Sequence, residues 1–319
     1  MANPIKYFGD QLSEKGLPDS VRLTVMKRKG LVSRAIFEIK SVLNDCRAHI
    51  TGGLVSGLNL WEVAVLPMLL YNAETWLSIN RKTIDILENL QLNFLRSILG
   101  VGPGCPSVLL YAETGTILME YRVLEKKLNF LHHLHNLPAN SLASEVLAIQ
   151  IKEGLPGIVE ECQDFLAKYE IYNLKQFSKL QFKNFVRKKI SELNKDKLLV
   201  TARKKQYKKV KFDELETNDF KLKEYLRIFN IDDAKLRFRL KSQMVPGVKM
   251  NFQSDSKYTI DLWTCDSCRL PGQIGYRDTQ QHILHCSAYE GIRQGRNFEV
   301  DADLIDYFKQ VLDLRAKNC

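Results

Sequence analysis

Cys265-Asp266-Ser267-Cys268 sets two thiols at the ends of a four-residue turn, and His282 and Cys286 follow, giving C-x2-C-x13-H-x3-C overall. A turn of this kind brings two thiolates to one ion, and a helix would place His282 and Cys286, four residues apart, on one face. Four nitrogen and sulfur ligands close a tetrahedral zinc shell. No position is left for a substrate, so the expected centre (Cys265, Cys268, His282, Cys286) is structural rather than catalytic. His285 adjoins Cys286 and would point elsewhere, which makes His282 the expected ligand. Pro271 and Gly272 suit the intervening loop, and Thr279 is placed to cap the helix that presents His282. The stretch from Trp263 to Arg293 is too short for a core of its own, so metal would supply its folding energy. The plainer alternative is two neighbouring surface cysteines and an unrelated helical histidine.

Other chemically suggestive residues point to structure. His132, His133 and His135 precede Pro138 at an expected helix end, where cations suit the dipole. Asp232-Asp233 opens a helical run, so Asp232 is the expected N-cap. Glu74, Glu113 and Glu125 stand isolated in sequence. No phosphate-binding loop, nucleophile elbow or H-E-x-x-H motif occurs, and no Lys-Ser/Thr follows Gly52-Gly53. No catalytic residue is expected.

Charge supplies the second signal. The net +10 falls within Lys183 to Lys241, which holds 19 Lys/Arg against 9 Asp/Glu; the remainder balances at 28 to 28. The densest positions are Arg187, Lys188 and Lys189, then Arg203, Lys204, Lys205, Tyr207, Lys208, Lys209 and Lys211. Clustered cations bind phosphate backbones by releasing counterions, without regard to sequence. Phe182, Phe185, Tyr207 and Phe212 are interleaved and could stack on unpaired bases. The plainer alternative is a solvated helix face or a nuclear-localisation run.

The elements that must carry these residues read as mostly α. Residues 5–9 resemble a strand end, and Ser13 to Asp19 a loop. From Ser20, a candidate N-cap, Val21, Val25, Val32, Ile36 and Ile39 fall near one helical face. Gly52-Gly53 breaks the chain before an apolar helix of about 58–71, in which Pro67 predicts a kink or stop. Ile84, Leu87, Gln91, Phe94, Leu95 and Ile98 keep the helical period, and Gly100 ends that helix. Another amphipathic helix runs from Ile117 to His135. The loop at 154–157 suggests a domain boundary, with a second helical, basic unit over about 158–244. The most apolar stretch, 54–71, contains Asn59, Glu62 and Pro67, so a buried helix is expected and no membrane partner. No signal peptide is read at the N-terminus. Seven scattered cysteines, an odd number, suit a reducing compartment, cytoplasmic or nuclear.

Several of these segments together resemble a known family. Leu69-Leu70-Tyr71-Asn72-Ala73-Glu74-Thr75-Trp76 is similar to a segment downstream of the catalytic palm in non-LTR (LINE-type) retrotransposon reverse transcriptases. The likeness continues through Leu87-Glu88, Gln91, Phe94 to Gly100, Pro106, Glu113-Thr114-Gly115 and Arg122. Ile5 to Asp10 is similar to that family's primer-grip strand. Ala234 to Arg239, with Arg237 and Arg239, and Cys265 to Arg293 look like its basic helix and CCHC knuckle. The resemblance covers nearly the whole chain.

It implies four segments: a palm or primer-grip remnant over 1–19, a helical thumb-like domain over 20–155, a basic helical linker over 156–245, and a zinc-knuckle module with a C-terminal helix over 246–319. The family copies RNA into DNA, and this region would hold template RNA or target DNA. The family's palm aspartates are absent, and Phe229-Asn230-Ile231-Asp232-Asp233 has one residue too many to replace them. Two-metal nucleotide transfer needs those carboxylates. The expectation is a truncated product, with Met1 an internal methionine used as a start. It would bind nucleic acid without polymerase activity alone, with a palm-containing chain as a further expected partner. The first helices, lacking the palm, should expose apolar surface. The alternatives are a zinc-containing helical interaction scaffold or an inactive relic.

Overall fold

The computed structural model describes residues 5–7, 10–45, 51–205, 215–245, 265, 267 and 280–317. The described chain is mostly helical, and one short antiparallel hairpin is its sheet. It divides into two compact units, one of 1–41, 58–95 and 115–204, the other of 42–57, 96–114 and 205–319. The 154–157 loop lies inside the first unit.

In the first unit, β1 (Ile5–Tyr7) pairs with β2 (Asp10–Leu12) in the register Ile5 to Leu12. Helix α1 (Leu17–Asp45) begins three residues before the expected Ser20 cap. Pro18 fits a first helical turn, where its missing N–H costs nothing. The Ser20 hydroxyl instead donates to the Gly16 carbonyl and accepts from the Ser13 N–H at 2.8 Å. Val21, Val25, Val32 and Ile39 face inward as their spacing predicted. Met26, Leu31 and Phe37 on the same helix are exposed.

The apolar run after Gly53 breaks into α2 (Gly53–Leu60), a π-helical turn (Trp61–Val65) and α3 (Leu66–Leu69). Pro67 has no N–H for the ladder, and the turn before it takes the wider register, with the Leu66 N–H on the Trp61 carbonyl. The wide turn holds Trp61 fully buried, stacked 4.6 Å from Phe94 of α4 (Arg81–Leu99). The next segment, Leu69 to Trp76, is closed by a buried cation. Arg28 donates to the carbonyls of Leu69 (3.3 Å) and Tyr71 (2.6 Å), pairs with Asp10 at 2.6 Å, and lies over the Tyr71 and Trp76 rings.

Helices α6 (Met119–His135), α7 (Leu142–Lys152), α8 (Ile158–Lys168) and α9 (Lys179–Lys205) build a second core in the same unit. Leu128, Leu131, Leu147, Cys162, Phe165, Phe182, Val186 and Ile190 meet there. Lys127, paired with Glu161, is buried at its edge. His132, His133 and His135 end α6 as expected, and His132 also packs inward. It is buried, stacked 4.6 Å from Phe182, with Nε2 3.0 Å from the Phe177 carbonyl.

In the second unit, Gly100 ends α4 with φ +66°, and the Val101 N–H reaches back to the Arg96 carbonyl at 3.0 Å. This is the glycine-terminated helix the sequence predicted. Helix α5 (Ser107–Thr114) is buried from Val108 to Thr114. Its Glu113 pairs with Lys241 at 2.7 Å, so it is isolated only in sequence. After α10 (Tyr225–Ile228), helix α11 (Ile231–Ser242) is capped by Asn230, whose side chain accepts from the Asp233 N–H at 2.9 Å. That corrects the expected Asp232 cap: the amide sits one residue outside the helix, where an N-cap acceptor can reach the first turn. The unit ends with α12 (Gln280–His285), α13 (Glu290–Arg293) and α14 (Asp301–Lys317). No helix among the described residues is long and apolar enough to cross a membrane.

Candidate metal centre and basic helix

Cys265, His282 and Cys286 converge in the second unit. Their ligand atoms all lie within 4.8 Å of one another, and the two sulfurs are 4.0 Å apart. Both cysteines are buried free thiols, too far apart for a disulfide of about 2.05 Å. His282 is half-buried and His285 exposed, which agrees with the choice between them. Cys268 and Thr279 lie outside the described residues. Helix α12 is shorter than the spacing argument assumed: it stops at His285, and Cys286 sits in extended backbone just beyond. The Cys286 N–H still reaches the Ile283 carbonyl at 3.4 Å, which keeps its thiol beside His282.

The stretch holding the ligands shares a core with other segments: Cys265 and Cys286 are packed with Leu236 and Leu240 of α11 and with Ile305, Tyr307, Phe308 and Val311 of α14. Sequence spacing could not reveal this, because the supporting residues lie up to 46 positions from Cys265. Polar contacts reinforce the packing. Tyr307 donates its hydroxyl to the Ile283 carbonyl at 2.6 Å, and Arg293 donates to the Cys286 carbonyl at 2.5 Å. Arg315, in the last turn of α14, donates to the Tyr289 hydroxyl at 2.8 Å and lies 3.9 Å from the Cys265 sulfur. Sequence reading missed Arg315; a lone arginine near a chain end carries no local signal.

The basic segment is organised by α9, a 27-residue helix with ten Lys/Arg and two Asp/Glu. Phe182, Val186, Ile190, Asn194, Leu198 and Ala202 recur every fourth residue and are buried. That stripe turns Lys183, Arg187, Lys188, Arg203 and Lys204 outward. Some cations are neutralised locally: Arg187 pairs with Glu125 at 3.2 Å and Lys189 with Glu192 at 2.9 Å. Lys183, Lys188 and Lys204 are exposed and have no ion-pair partner among the described residues. The aromatic expectation is corrected where it can be read. Phe182 is buried, and Phe185 packs 5.8 Å from Phe177 and 6.1 Å from Tyr169, so neither ring is offered to a base. Lys205 ends the helix, and Tyr207, Lys208, Lys209, Lys211 and Phe212 lie outside the described residues.

Arg237 and Arg239 carry intramolecular contacts. Arg237 pairs with Asp301 at 2.6 Å, and Arg239 donates to the Gly100 carbonyl at 2.8 Å. Burial lowers the Arg239 pKa, against the raising effect of Asp232. The chain matches no protein-family model, no curated protein and no solved structure.

Proposed function

We propose that this chain binds nucleic acid through the outer face of α9 and carries a structural zinc ion at Cys265, His282 and Cys286, with Cys268 as the fourth ligand. In this reading it corresponds to the thumb, basic linker and CCHC knuckle of a non-LTR retrotransposon reverse transcriptase, holds template RNA or target DNA, and does not polymerise alone. The observation that carries it is the outward placement of Lys183, Lys188 and Lys204 on a helix whose buried stripe, Phe182, Val186, Ile190, Leu198 and Ala202, faces the core. Lysines without ion-pair partners retain their full charge for phosphate, and none must first give up a carboxylate. The ordered series of reverse-transcriptase-like segments adds independent support.

The zinc assignment rests on donor chemistry and spacing. Two Zn–S bonds of about 2.3 Å meeting at a tetrahedral angle put the sulfurs about 3.8 Å apart. The Cys265 and Cys286 sulfurs stand at 4.0 Å. Thiolate and imidazole favour zinc over the oxygen-seeking calcium and magnesium.

Binding to a labelled RNA hairpin, followed by anisotropy as salt is raised, tests the reading. Affinity should fall steeply with salt. Lys183→Ala with Lys188→Ala should weaken binding and reduce the log–log salt slope by about 1 per lysine. Absence of binding at low salt contradicts it. A second reading, a protein-interaction scaffold, is favoured by α7, where Leu142, Val146 and Ile149 form an exposed apolar row. An apolar interface would be nearly indifferent to salt.

A further inference from the structure

We propose that Arg315 is a positioning residue for the metal centre: it partners the Cys265 thiolate and thereby makes the docking of α14 depend on the metal. The inference rests on the zinc reading above. Three observations within the second unit carry it. Arg315 Nη2 lies 3.9 Å from Cys265 Sγ, within reach of an N–H···S bond. Its Nε donates to the Tyr289 hydroxyl at 2.8 Å, and Cζ lies 5.5 Å from the Tyr289 ring centre, so the guanidinium is held at that place. The Tyr289 hydroxyl in turn meets Ser267, in the turn that presents Cys265. Arg315 therefore touches the ligand turn twice, once at the sulfur and once through Tyr289.

The charge arithmetic explains why a cation belongs there. Three thiolates and a neutral imidazole give a zinc centre one net negative charge. Cys265 is buried among apolar side chains, where that charge is poorly solvated. A guanidinium is charged at every relevant pH and donates in a fixed plane, so it can neutralise the excess without losing its proton. Zinc holds its sulfur ligands as thiolates, so the ion fixes an anionic acceptor beside the guanidinium. Metal loading thus strengthens the contact between α14 and the ligand turn, and the helix reports on the ion. A helix-end role alone, as a cation on the C-terminal dipole, would be served equally by lysine and would not respond to metal.

The test uses the full chain, with Zn2+ alone as the probe. Zinc affinity is measured by competition with a chromophoric chelator, and amide exchange over residues 301–317 is followed in loaded and stripped protein. Wild-type α14 should be protected when loaded and exchange faster when stripped. Arg315→Met should bind zinc about 10-fold more weakly, the lower end of the range for lost outer-shell partners, and its α14 should no longer respond to the ion. Arg315→Lys, which keeps the helix-end charge, should recover little of the affinity. If both variants bind zinc like wild type and α14 responds normally, the inference is overturned. If wild type does not bind zinc, or Cys265→Ser binds it equally well, the zinc reading fails instead. Circular dichroism of each variant shows whether it is folded; should Arg315→Met unfold, the folded lysine variant decides.

Discussion

Glu88 shows how one side chain ties helix geometry to pH. Its carboxylate accepts the Met119 N–H at 2.8 Å, at the N-terminal, donor end of α6. Burial is the larger influence and raises its pKa from 4.5 to about 7, with Glu120 adding to the rise and the Met119 N–H opposing it. The folded chain therefore holds a proton that the unfolded chain releases between these values. Glu88 contributes stability that is complete below about 4.5 and is lost as pH rises through about 7. Glu88→Gln keeps an acceptor for Met119 and removes the charge. It should stabilise the protein at pH 8 by on the order of 1–3 kcal/mol and flatten the pH profile between 5 and 8, as read from urea midpoints at each pH. An unchanged profile would contradict the account. Nothing in the sequence marked Glu88 as a helix cap, because its partner is 31 residues away. The same limit hid the burial of His132: three histidines before a proline predict a helix end, but not the Phe182 ring that covers one of them.

Local rules worked best for the elements. The period of Ile84 to Ile98 and the glycine that stops it were both legible, and Gly100 has the left-handed φ of +66°. Gly100→Ala should cost about 1–3 kcal/mol in chemical denaturation: a Cβ is strained at that φ and would collide with the Arg239 guanidinium. A loss below a few tenths of a kcal/mol would mean that Arg239 yields freely. Boundaries set by tertiary contact were less legible. The start of α1 depends on the Ser13–Ser20 exchange, and the π-turn before Pro67 on the burial of Trp61. The packing around the ligands was illegible for a related reason: spacing identifies ligands, but not the α11 and α14 residues packed behind them. Chelation should therefore loosen α12 to α14 without abolishing the rest of the helical signal. Circular dichroism at 222 nm should fall only partly on addition of a strong chelator. Complete collapse would restore the view of metal as the main source of folding energy.

At the scale of the whole molecule, charge segregation was the most legible property and aromatic function the least. The net +10 falls within 183–241 in sequence, and α9 turns much of its share outward. Composition could not tell that Phe182 and Phe185 face the core, since an interleaved aromatic reads alike on either face until neighbouring helices are known. Arg237 and Arg239 show the converse, with basic residues occupied by Asp301 and the Gly100 carbonyl. Lys183, Lys188 and Lys204 stay exposed along a helix about 40 Å long, and on the reading proposed above they would attract a phosphate backbone more than they would read bases. The most direct measurement is the affinity of the full chain for an RNA hairpin at several salt concentrations, beside the Lys183→Ala, Lys188→Ala variant. The account predicts steep salt dependence and a slope shallower by about 2 in the variant. Binding that ignores both salt and these lysines, or no binding at low salt, would contradict it.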